Sequence, residues 1–169
     1  MNIIGSVKED LAIEKRISIT PDISKKLINL GFTLNLEQNY GEHLGLRDEE
    51  YKNYGVNLFG SKEEVLEKSE IILSVNHPTT QEINFIKNNS IFIGQFDLNK
   101  NNELIKKLNQ KNIKIFSLNL LPRITRAQSM DVLSSQANLA GYKAVIESFS
   151  MFEKAIPMMM TAAGTVPAA

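Results

Sequence analysis

"EIILSV", Glu70 to Val75, is a nearly unbroken apolar run. A strand that is apolar on successive rather than alternate residues is buried on both faces, as strands of parallel sheets are. Just upstream, Ser61 and Glu64 are spaced as a capping box for "KEEVLEKS", so a short helix leads into this strand. Downstream, Thr79 to Lys87 reads as a helix and "SIFIGQF" (Ser90 to Phe96) as a strand. Helix "NNELIKKLNQKN" and strand "IKIFSLNL" (Ile113 to Leu120) follow. Toward the N-terminus, "NIIGSV" (Asn2 to Val7) reads as a first strand. Thr20-Pro21 then supplies an N-cap and a first helical residue, and Ile23, Leu27, Ile28 and Leu30 recur at helical spacing until Gly31 stops the helix. "FTLNLEQ" (Phe32 to Gln38) alternates as a strand, and "RDEEYKNYG" (Arg47 to Gly55) is a short helix closed by glycine. Strands alternating with helices imply a mainly parallel α/β sheet with helices on both faces.

After Leu120 the pattern changes. From Ser134 to Ala155 the residues Leu139, Tyr142, Val145, Ile146, Phe149 and Phe152 recur every three or four positions. Roughly twenty residues make a rod of ~30 Å, long enough to link two domains. The tail "IPMMMTAAGTVPAA" carries Pro157 and Pro167 and no charge, and an extended segment is expected there, ending without a capping element.

Composition removes several function classes. The chain has 169 residues, 43% of them apolar, which suffices for one domain with a core or for a piece of something larger, not for two full domains. Lys+Arg and Asp+Glu both number 19, so neither a basic stripe for nucleic acid nor an acidic tail is present. The absence of cysteine excludes disulfides, a thiolate nucleophile and thiolate-ligated zinc. Charge enters within the first ten residues and no run approaches the ~20 apolar residues of a membrane span, which is the reading of a cytosolic chain that meets a membrane only through a partner. His43 and His77 lie in separate loops without carboxylates at metal-ligand spacing, and the plain reading is two locally hydrogen-bonded imidazoles. The nine glycines are scattered, and no G-x-G-x-x-G, phosphate loop or G-x-S-x-G elbow occurs.

Two polar segments remain. Arg16, just before the Thr20-capped helix, is a candidate clamp for a carboxylate, a phosphate or an amide oxygen, and equally a surface arginine paired with Glu14 or Asp22. In "PRITRAQSMDVLSS", Arg123, Gln128 and Asp131 follow a strand and precede the long helix, the ligand position of open α/β sheets. Asp131 and Ser134 both qualify as N-cap, so an ordinary helix start is the plainer alternative. The functional reading is that guanidinium, amide and carboxylate orient a planar polar group. A carboxamide suits them, with one acceptor for Arg or Gln and two donors for Asp or a serine hydroxyl.

"EKRISITP", "EIILSVNHP", "PRITRAQSMDVLSSQANLAGYKAVIE" and "TAAGTVPAA" resemble the NAD(H)-binding component of proton-translocating NAD(P) transhydrogenases, within the alanine dehydrogenase/transhydrogenase family. The resemblance runs nearly end to end. It implies a Rossmann-like (flavodoxin-like) domain over residues 1–133, with the long linking helix and the start of an NAD-binding Rossmann domain over residues 134–169. That second domain's glycine-rich turn is expected beyond Ala169, and the isolated chain is expected to be inactive. The resemblance further implies that Arg123, Gln128 and Asp131 contact the nicotinamide of NAD(H), with Ser134 hydrogen-bonding nearby, and that NADP(H) sits on a partner component. It implies no metal, membrane and NADP-binding partner components, homodimerisation, and a cytoplasmic location peripheral to the inner membrane through partner subunits. Amino-acid dehydrogenation is disfavoured. Arg16 matches that branch's arginine, but Asn76 stands at its lysine position and Asp97 near its histidine, removing proton-transfer groups. Ser74 departs from the lysine expected in the transhydrogenase pattern. The competing expectation is a non-catalytic lone domain that packs or dimerises through Tyr142, Phe149, Phe152 and Met158 to Met160.

Overall fold

Thr20 accepts a hydrogen bond from the Ile23 N–H and Pro21 opens helix α1 (Pro21–Asn29), while Gly31, at φ +90°, turns the chain out of it. That helix follows strand β1 (Ile3–Ser6) and delivers the chain to β2 (Thr33–Glu37). The same unit then recurs through α2 (Asp48–Lys52), β3 (Asn57–Phe59), α3 (Lys62–Lys68), β4 (Ile71–Asn76), α4 (Glu82–Phe85), β5 (Ile91–Gln95), α5 (Asn102–Gln110) and β6 (Lys114–Ser117). The structure, a computed structural model, describes residues 2–96 and 102–168. The six strands form one sheet in the order β3-β2-β1-β4-β5-β6, every neighbouring pair parallel. Strand order reverses direction between β1 and β4. The fold is therefore the doubly wound, Rossmann-like sheet with flanking helices that the alternation implied.

Alternation along each strand sends successive side chains to opposite faces. Ile4, Leu34, Leu36, Tyr40 and Tyr51 fill one core, and Ile72, Phe92, Phe96, Leu66 and Leu108 the other. Tyr40 and Tyr51 meet edge to face with centroids 6.1 Å apart. Their hydroxyls stay satisfied when buried: Tyr40 pairs with Ser6 Oγ at 2.7 Å, and Tyr51 donates to the Ile19 carbonyl at 3.1 Å.

Several expectations need correction. β4 is not buried on both faces along its length, since only Ile72 is fully buried and the rest are half-buried, its end bordering an open crevice. β3, unannounced by any alternation, is a three-residue edge strand paired with β2, where Asn57 Nδ2 donates to Asn35 Oδ1 at 3.1 Å. The helix expected over Thr79 to Lys87 contracts to the single turn of α4. Reciprocal bonds between Thr79 and Glu82 fold the turn that leads into it, and the Lys111 ammonium donates to the Asn84 and Ile86 carbonyls at 2.6 and 2.8 Å where it stops.

β6 ends at Ser117 rather than Leu120, because residues Leu118–Leu120 form a 3-10 turn. Asn119 there continues the ladder with its side chain: Phe96 N–H donates to Oδ1 at 3.0 Å, and Nδ2 donates to the Phe96 carbonyl at 2.9 Å. Asn119→Ala leaves both backbone groups of buried Phe96 without these partners, a loss expected to cost about 2 kcal/mol. A fall in the urea midpoint at unchanged m-value checks it.

The chain forms two compact units, Met1–Leu121 and Pro122–Ala169. The second holds a 3-10 turn, Thr125–Met130, the long helix α6 (Val132–Met151) and a ribbon of β7 (Met159–Thr161) and β8 (Gly164–Val166). α6 starts two residues before, and ends four before, the expected bounds Ser134 and Ala155. The tail expected to be simply extended instead folds back as an antiparallel hairpin, with Thr161 Oγ1 donating to the Gly164 carbonyl at 2.9 Å. No residue of α6 is buried, and Tyr142, Phe149, Met151 and Phe152 are exposed.

Candidate functional site

Asp131 ends the 3-10 turn and caps α6. Its Oδ1 accepts from the Ser134 N–H at 3.0 Å and its Oδ2 from the Ser134 hydroxyl at 2.6 Å. Ser135 Oγ donates to the Asp131 carbonyl at 2.9 Å, so the residue is held through both its side chain and its backbone. Of the two N-cap candidates the structure selects Asp131. Ser134 hydroxyl and N–H hold this carboxyl below the usual carboxylate range, and the positive charge of Arg123 acts in the same direction. Asp131 is thus an anion at neutral pH with its side chain fixed. Each oxygen still has a lone pair for a second donor.

Arg123, Gln128 and Asp131 line one open cleft of about 250 Å³ together with Pro122, Ile124 and Thr125. That is smaller than the ~300–1,000 Å³ typical of ligand pockets, room for one ring and not for a dinucleotide. The structure therefore brings the three candidate residues together. Ser134 does not line the cleft and instead orients Asp131. A guanidinium and an amide beside an ionised carboxylate, with Pro122 and Ile124 also lining the cleft, can both donate to and accept from a planar polar group. No helix among the described residues is long and apolar enough to cross a membrane, and no cluster of three His, Asp or Glu among them is placed to hold a metal.

Arg16 belongs to the first unit, and both edges of its guanidinium engage Glu14: Nε to Oε1 at 2.9 Å and Nη2 to Oε2 at 2.6 Å. Any clamp function requires this pair to open. His43 Nε2 lies 2.7 Å from the Lys15 carbonyl and His77 Nδ1 3.2 Å from the Pro78 carbonyl. Asp97 lies outside the described residues.

A second cleft, of about 330 Å³, opens beyond the carboxyl ends of β1 and β4 and includes Glu9, Lys62, Ser74, Asn76, His77 and Glu82. The family resemblance singles out Ser74 and Asn76, as departures from lysine positions, but not Glu9, Lys62 or Glu82, because no motif links them. Only the strand order places them together. Lys62 and Glu82 form an ion pair at 2.6 Å. Burial pushes Glu82 upward, but the Lys62 hydrogen bond and the Thr79 N–H outweigh it and hold the carboxyl below the usual range. A depressed folded-state value contributes stability above the unfolded glutamate value of about 4.3, lost as pH falls through the folded one. Acid unfolding followed by circular dichroism is accordingly expected to show a shallower loss of stability in Glu82→Gln below roughly pH 4.3.

The open parallel sheet with its strand-order reversal defines a protein of the doubly wound, Rossmann-like class. Within that class the chain belongs to the alanine dehydrogenase/PNT family, whose N-terminal domain it matches over residues 5–140. It is similar to the first portion of the NAD(P) transhydrogenase alpha subunit of Rickettsia prowazekii, 40% identical over 169 residues that cover 98% of this chain and 44% of the relative. The corresponding protein of Rhodospirillum rubrum is 38% identical over 171 residues, covering 98% of this chain and 44% of that protein. The crystal structure of transhydrogenase from Sinorhizobium meliloti superposes with a TM-score of 0.89 at 41% identity, covering 99% of this chain and 50% of that one. The chain thus spans about 44% of the length of these two curated relatives.

Proposed function

We infer that this chain is the N-terminal part of the NAD(H)-binding component of a proton-translocating NAD(P) transhydrogenase, and that its own contribution is to orient the nicotinamide. The observation that carries this reading is the fixed Asp131 carboxylate sharing a cleft with Arg123 and Gln128. When bound, the nicotinamide gives or takes the hydride. Arg123 would donate to the carboxamide oxygen, Asp131 would accept from the carboxamide N–H, and Gln128 would complement either. Hydride transfer needs apposed rings and no protein acid or base, which suits a cleft without histidine. Partner components would carry NADP(H) and the proton path, with the chain cytoplasmic and held at the inner membrane through them.

A second reading, a non-catalytic domain acting through packing or homodimerisation, is favoured by the exposed Tyr142, Phe149 and Met160, which are 69, 56 and 85% accessible. Titration with NADH, followed by nicotinamide fluorescence, separates the two. The first reading expects saturable binding that weakens in Asp131→Asn. A folded protein with no response to NADH, either alone or joined to the remaining components, supports the second.

A further inference from the structure

The strand order sets β1 beside β4, with β2 and β3 to one side and β5 and β6 to the other. The crevice beyond the carboxyl ends of this central pair is where open α/β sheets take their ligands. In this chain a carboxylate already lies there. Glu9, just past the end of β1, points its Oε1 at three donors near the end of β4: Ser74 Oγ at 2.7 Å, Val75 N–H at 2.7 Å and Asn76 N–H at 3.3 Å.

The donors are available because β4 leaves regular pairing. Its register against β5 shifts between Leu73 and Asn76, and such bulges re-aim backbone groups at the rims of sheets. Gly94 on β5 permits it: a Cβ at that position would stand 3.0 Å from the Ser74 carbonyl oxygen and 3.3 Å from that of Asn76. Arg16 and Lys62 attract the Glu9 carboxylate by charge, but neither donates a hydrogen bond to it. The two lysines of the crevice are engaged elsewhere, Lys62 with Glu82 at 2.6 Å and Lys8 with Glu37 at 3.1 Å. The three donors that reach the oxygen itself are all neutral and converge on one carboxylate oxygen, a ligand that the same chain supplies at high effective concentration.

We propose that the donor set Ser74 Oγ, Val75 N–H and Asn76 N–H is a carboxylate-binding site whose resident ligand is the chain's own Glu9. An external acid must displace Glu9 to reach these donors, and the segment from Lys8 to Arg16 is tied to the end of β4 by the same contact. Serine at position 74, where lysine was expected, is explained as a neutral donor to the shared oxygen.

Amide hydrogen exchange at Val75 in the full chain tests this. Glu9→Ala removes the ligand, and Glu9→Asp keeps the charge but withdraws it by one methylene. Each variant is expected to exchange Val75 at least tenfold faster than wild type while the amide of Ile72, deeper in β4, keeps its rate. Sodium acetate is expected to slow Val75 exchange in Glu9→Ala, where sodium chloride at equal concentration does not. Val75 protection retained in Glu9→Asp and Glu9→Ala overturns the proposal, as does an acetate effect no larger than that of chloride. If Glu9→Ala does not fold, the rate at Val75 in Glu9→Asp decides alone.

Discussion

Gly5→Ala is expected to cost about 3 kcal/mol, at the upper end of ordinary overpacking, and to shift the urea midpoint accordingly. Gly5 lies within β1, the strand on which the sheet reverses, and pairs with Asn35 on one side and Ile72 on the other. Its difficulty with a side chain is space. A Cβ there would lie 2.1 Å from Ser69 Oγ, 2.7 Å from Ser69 Cβ and 3.2 Å from Val65 Cγ1. None of these atoms is the loose end of a flexible side chain. Ser69 is fully buried, and its hydroxyl donates to the Val65 carbonyl at 2.6 Å at the end of α3. Admitting the methyl therefore means moving α3 off the sheet, which opens contacts around Val65 and Leu66 in one of the two cores. The double variant Gly5→Ala/Ser69→Gly is expected to recover most of the loss. An unchanged midpoint in Gly5→Ala would show that α3 does not approach β1 this closely.

Which elements could be read from the sequence follows from the range of the interaction that makes them. Thr20-Pro21 and Ser61 start helices through bonds to residues three positions on, and both starts are where local chemistry puts them. Strands dense in apolar residues, such as Leu34–Leu36 and Ile91–Ile93, were legible for the same reason. β3 was not, because three residues carry no period and the strand exists through its pairing with β2. The ends of α4 and β6 were misplaced because distant residues set them: Lys111 takes the carbonyls at the end of α4, and Asn119 reaches across to Phe96. The site divides likewise. Arg123, Gln128 and Asp131 fall within nine residues, so one turn gathers them. Glu9 meets Ser74 across a sequence separation of 65 residues, which no spacing rule connects.

Asp131→Asn, placed in the complete protein, is expected to slow hydride transfer roughly 10²-fold, the scale on which a small misplacement of reacting groups acts. The substitution separates the two roles of this residue. As an N-cap, asparagine is as good as aspartate, since its carbonyl oxygen can still accept the Ser134 N–H that Oδ1 now takes at 3.0 Å. The Ser134 hydroxyl, which donates to Oδ2 at 2.6 Å, can rotate to accept from the new amide, so α6 begins where it did. What asparagine cannot supply is the charge, which the wild-type site protects by holding the carboxyl below its usual range. Nor can it offer a second accepting oxygen to a carboxamide N–H. The expected result is therefore unchanged helix content and melting temperature with slowed transfer. Ser134→Ala, which frees Oδ2 while leaving the charge in place, is expected to give a smaller loss. Equal turnover in wild type and Asp131→Asn would reduce Asp131 to a helix cap and remove the main support for an orienting site. A loss of helix together with activity would mean that the cap and the site cannot be separated by this change. Arg123→Ala, which lies outside the hydrogen bonds of the cap, then tests the site without touching the helix start.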